Sequence, residues 1–141
     1  HKSQLYSSAG YPYCFLSTDN YTDTVFTMEL VSPSAIGGII DYEIRSWDAT
    51  DVQVIEGSVK FTASRKSSTI TVDVNSPDES LSATSGTITT TWNAVGNTSG
   101  SGTLYVTLNV NTSLTGIPYW TMWYSVKSYE AITEYKPSSC N

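Results

Sequence analysis

Few residues in this chain are of a kind that does chemistry. Its 141 residues hold one histidine, His1, and two cysteines, Cys14 and Cys140. A serine or cysteine nucleophile usually needs a histidine base beside it, and a lone histidine at the first position is badly placed to serve one. An N-terminal histidine can bind copper through its amine and ring, but the oxidative enzymes that do so use a second histidine, which this sequence lacks. Two carboxylates can cleave a glycosidic bond when held about 5–10 Å apart in a cleft, and the thirteen acidic residues offer many pairs with no means of choosing one. Asp41 and Glu43 share a strand face with Arg45 beside them, which reads as a solvated charge ladder. The stretch DVNSPDES gathers Asp73, Asn75, Asp78 and Glu79, oxygen ligands of the kind Ca²⁺ takes, but not in EF-hand spacing. It reads first as an ordinary turn. Phosphate-binding glycine loops and dinucleotide fingerprints are absent. The inventory predicts no catalytic residue, no cofactor and no metal site, with a small glycoside hydrolase as the one enzymatic alternative.

Charge narrows the partners. The net charge is −6, and of the seven Lys and Arg only Arg65 and Lys66 are adjacent. A phosphate backbone or an anionic membrane surface needs several convergent cations, so neither is an expected partner. The longest apolar run, AIGGII, falls far short of the ~20 residues that span a bilayer.

Three features point to an oxidising, extracellular setting. A start at His1 is what a processed secretory protein leaves behind. Cys14 and Cys140 lie near the two ends; paired, they would tie the domain shut and add roughly 4–5 kcal/mol in the chain-entropy picture. Three sequons, at Asn20, Asn97 and Asn111, fall in turn-like stretches or at a strand's polar end, where a glycan has room. The expected product is a secreted or cell-surface glycoprotein.

The elements that must position these residues are strands. Charged residues make up only 14% of the chain, and 22 Ser, 20 Thr, ten Tyr and four Trp take their place. β-Branched and aromatic residues favour strands. Period-2 alternation recurs along the chain. Phe26, Met28 and Leu30 fall on one face, as do Ile40, Tyr42 and Ile44, then Val59, Phe61 and Ala63, and again Leu104, Val106, Leu108 and Val110. About nine or ten strands with one dry face each predict an all-β, antiparallel β-sandwich, immunoglobulin-like or jelly-roll-like in architecture. Residues 14–141 read as one domain, preceded by an extended strand over residues 1–13.

Two binding readings follow. In GIPYWTMWYSV, Trp120, Met122, Tyr124 and Val126 face inward, which leaves Tyr119 and Trp123 outward and about 13 Å apart. Exposed aromatics among hydroxyls suit the apolar faces of sugar rings, the arrangement of a lectin or carbohydrate-binding module; a covered, aromatic-rich interface is the alternative. The other reading starts from Leu5, Ser7, Ala9, Tyr11 and Tyr13, which occupy alternate positions of an extended tail lying before Cys14. Such a tail can pair within its own sheet or supply a strand to another subunit by β-strand addition. In size, tail position, terminal cysteines and hydroxyl-rich composition the chain resembles the strand-donating subunits of fimbriae and of archaeal extracellular threads. That resemblance implies head-to-tail self-association into a filament.

Overall fold

The computed structural model describes residues 5–15, 20–114 and 119–135, with only the backbone course for residues 5–15. Ten strands lie among them: β1 (Leu5–Phe15), β2 (Asn20–Glu29), β3 (Ser34–Trp47), β4 (Val52–Lys66), β5 (Thr69–Val74), β6 (Asp78–Ala83), β7 (Ile88–Asn97), β8 (Thr103–Thr112), β9 (Tyr119–Ser128) and β10 (Ile132–Glu134). The first sheet runs β1-β9-β3-β4-β5, with β6 on the other half of β4, and the second runs β10-β2-β8-β7. Every pairing is antiparallel. The chain is therefore an all-β sandwich of two antiparallel sheets.

The alternation assigns the core correctly. Phe26 and Met28 of β2, Leu30 just beyond it, and the alternate residues Leu104 to Val110 of β8 are buried against Ile40, Tyr42 and Ile44 of β3, Val59, Phe61 and Ala63 of β4, and Trp120, Met122, Tyr124 and Val126 of β9. Each fully buried side chain of this size is worth about 1.5–3 kcal/mol against exposure. Phe26 sits at the centre, with ring centroids 6.1 Å from Phe61 and 6.2 Å from Tyr124.

Three segments depart from the pattern reading. The glycines of SAIGGII suggest a break, yet β3 runs straight through them. A Cβ on Gly38 would stand 3.0 Å from both the Phe61 ring and the Lys127 carbonyl, so the glycine is where three strands close up. DVQVI and GSVKFTAS, which look like two strands, are one 15-residue strand, β4. Its first half pairs with β6 and its second with β5. Finally, only the Asn75–Pro77 part of DVNSPDES lies between strands: Asp78 and Glu79 begin β6, with Asp78 opposite Ser58 and Glu79 opposite Gly57. Consecutive strand residues face opposite sides, so these two acids do not converge as a calcium cradle would require.

Glu79 instead fastens the sheets together. The Tyr42 hydroxyl donates to its carboxylate at 2.5 Å, and the Thr90 hydroxyl of β7 donates to the same oxygen. Burial first, and then the bond to Glu79, hold the Tyr42 hydroxyl well above the ordinary tyrosine range. A raised folded-state value means the fold favours the protonated form. That stability is fully present below the unfolded value of about 10 and is lost as pH rises beyond it. Comparing wild type with Tyr42→Phe by thermal unfolding from pH 7 upward should show their difference constant at neutral pH and narrowing above about pH 10. A difference unchanged to pH 11 would show that Tyr42 does not titrate as placed.

Candidate functional site

Both binding readings meet on β9. Its inward residues Trp120, Met122, Tyr124 and Val126 are buried in the core. On one side β9 pairs with β3, from Gly38–Ser128 to Trp47–Tyr119. On the other side it pairs with β1, whose register sets Leu5 opposite Ser128, Ser7 opposite Val126, Ala9 opposite Tyr124 and Tyr11 opposite Met122. The odd-numbered series of the tail thus occupies the register of the inward residues of β9. Tyr13 falls in the register shift between Tyr11 and Cys14, and Cys14 resumes the pairing opposite Trp120. Within its own chain, β1 forms the edge of the first sheet and pairs with β9 alone among the described residues. Cys140 lies outside the described residues, and so does its expected pairing with Cys14.

All three sequons map to the second sheet, on exposed residues. Asn20 and Asn111 stand opposite each other on β2 and β8, and Asn97 ends β7. The Asn20 side chain already accepts a hydrogen bond from the Asn109 amide.

The outer face of the first sheet is a grid that the registers define. One row runs from Trp123 on β9 to Glu43 on β3, Glu56 on β4 and Ser80 on β6. The next runs Thr121, Arg45, Val54 and Ser82, and the one beyond it Tyr119, Trp47 and Val52. On the far side of the first row lie Ser125, Asp41, Ser58 and Asp78. The alternation of β9 holds here: Trp123 is 48% exposed and Tyr119 38%. Tyr119 stacks on Trp47, with centroids 6.1 Å apart and planes 23° apart. Arg45 Nε donates to Glu43 Oε1 at 2.9 Å, the expected charge ladder. Two clefts overlap on this face. One, about 740 Å³, extends from Trp47 and Arg45 across to Ser82. The other, about 590 Å³, runs between Trp123, Asp41 and Asp78. Glu43, Glu56 and Ser80 line both.

Pattern reading finds Tyr119 and Trp123 and misses Trp47, Glu56, Ser80 and Ser82. A local signal for part of this exists. Asp48 Oδ1 accepts from the backbone N–H groups of Thr50 and Asp51, a side-chain-braced turn. That turn sets Trp47 against Val52 and hence Glu43 against Glu56. The placement of β9 beside β3 and of β6 beside β4 carries no such local mark.

No family model and no curated protein sequence matches the chain. Among solved structures it is similar to the tailspike protein of Acinetobacter baumannii phage AM24, at 11% identity and a TM-score of 0.51, over 92% of this chain and 27% of that one. The likeness is one of fold, and the chain spans about a quarter of the tailspike's length. A second match, tailspike protein gp49 of A. baumannii bacteriophage Fri1, a capsular polysaccharide depolymerase, has 14% identity over 87% of this chain and 21% of that one, with a TM-score of 0.28.

Proposed function

We propose that this chain is an extracellular structural and adhesive subunit that assembles head-to-tail through β1, with no chemical step. The observation that carries the reading is the position of β1: a sheet-edge strand that, among the described residues, pairs with one neighbour, β9, through nine register pairs. Each of those pairs is a main-chain pairing that β1 of another copy can make in the same register, with Cys14 at the C-terminal end of the strand and the seven pairs from Leu5 to Tyr11 before it. Main-chain bonds supply affinity, and the alternate residues facing the buried set of β9 supply register. The exchange joins unlike surfaces of the two copies. A contact of this heterologous kind propagates into a filament when the rotation from one copy to the next does not close, and we propose that open, head-to-tail form.

Secretion, N-glycosylation of Asn20, Asn97 or Asn111, and a Cys14–Cys140 disulfide belong to the same proposal. Native mass measurement over a range of concentrations should give a ladder of oligomers. A chain that stays monomeric at the highest concentration would overturn the assembly reading. Protein isolated from its own source should lose mass on deglycosylation, and it should show no free thiol until reduced. An unchanged mass, or two free thiols, would remove the compartment part of the proposal.

A further inference from the structure

We infer that the cleft on the outer face of the first sheet is a saccharide site centred on Trp123, and that it takes neutral and amine-bearing sugars while turning away anionic ones. This does not depend on assembly through β1.

The site rests on an aromatic in an open cleft. Trp123 stands half exposed on a strand whose inward side is fully committed to the core. Its cleft is of the size that holds small ligands, and it continues into the larger one toward the stacked Trp47 and Tyr119 pair. An indole face takes the C–H face of a sugar ring. The row beside it supplies partners for the ring's hydroxyls at strand-spacing intervals of about 4.8 Å: Glu43, then Glu56, then Ser80. Carboxylates accept from hydroxyls in strong, charge-assisted bonds, and a serine gives or accepts.

Glu43 and Glu56 are directly opposite on neighbouring strands, a like-charge pairing that weakens a sheet. Arg45 is bonded to Glu43 and offsets only that member. Local rules broken without compensation in the fold are found where a ligand supplies it. The same carboxylates set the ligand's charge. No Lys or Arg lines the cleft at Trp123. A sugar carboxylate or sulfate would meet like charge there from Glu56, Asp41 and Asp78. A protonated amine would be drawn to the carboxylates and to the indole face.

The test is calorimetric titration of the full chain with three oligosaccharides of equal length: glucosamine, N-acetylglucosamine and galacturonic acid. The first two should bind and the third should not. Trp123→Ala should weaken binding about tenfold or more while the chain still unfolds cooperatively, since half of the side chain lies in solvent and none of the core residues is removed. Glu56→Gln should weaken binding of the glucosamine oligomer severalfold while leaving the fold as stable or more so, because it removes the repulsion with Glu43. No binding of the first two oligomers, or equal binding by Trp123→Ala, would overturn the site. Equal binding of the galacturonic acid oligomer would overturn the charge selection. A Glu56→Gln chain that loses stability would show that the carboxylate pair serves the fold.

Discussion

A chain lacking residues 1–13 is expected to stop assembling altogether and to lose on the order of 5 kcal/mol of stability, at roughly one net hydrogen-bond contribution per lost register pair. The removed segment carries seven of the nine pairs that β1 makes with β9, from Leu5–Ser128 to Tyr11–Met122. What is left is a β9 whose buried residues are intact but whose edge presents unpaired N–H and C=O groups, a state that invites pairing with any free strand. Added peptide corresponding to residues 1–15 should therefore restore stability to the shortened chain, measured as a rise in its unfolding temperature. It should not restore assembly, because a peptide-capped chain has no strand of its own to give. A Gly10→Pro peptide should restore less, since proline removes a ladder donor. A shortened chain that still forms oligomers would place the assembly surface elsewhere.

The second large effect is expected at Gly102, where the end of the sandwich is fastened. Gly102 has φ +100°, a conformation L side chains rarely adopt. A Cβ there would lie 2.2 Å from the Leu30 carbonyl oxygen and 2.0 Å from Arg65 Nη1. These are the atoms of a clasp. Arg65 Nη1 donates to the carbonyls of Leu30 at 2.8 Å and Ser101 at 3.0 Å, its Nε donates to Ser67, and the Leu30 N–H donates to the Gly102 carbonyl. The guanidinium so joins the ends of β2 and β4 to the β7–β8 turn. Gly102→Ala combines backbone strain with a clash against main chain, each about 1–3 kcal/mol, and it displaces Arg65 besides. Chemical denaturation should show a loss of about 3–5 kcal/mol, against about 1 kcal/mol for Gly100→Ala, where φ is also positive but a Cβ meets nothing within 4 Å. Equal losses at the two glycines would mean that conformation alone, and not the clasp, matters.

What the sequence made legible follows from distance along the chain. Inward and outward faces depend on adjacent residues, so Trp120 and Trp123 could be sorted to core and surface by counting in twos. The tail was legible as a strand for the same reason. β6 was not, because DESLSA lies on an edge with almost every residue in solvent and has no dry face to alternate against. The site was half legible. Tyr119 and Trp123 share one strand, but the carboxylates beside Trp123 come from strands brought together by packing between β9 and β3, across about eighty residues of chain. Nor does alternation name the sheet that holds β1, since the same seven residues fit β9 of their own chain or of the next.

That choice can be measured directly. Tyr6 and Lys127 are opposite each other in the β1–β9 register. Two variants, Tyr6→Cys and Lys127→Cys, are mixed, allowed to assemble and oxidised, and the product is mapped by mass spectrometry. Strand exchange predicts a covalent heterodimer joined from position 6 of one chain to position 127 of the other, growing with concentration. Absence of that heterodimer, with the double variant closing the same bridge only within one chain, would contradict assembly through β1.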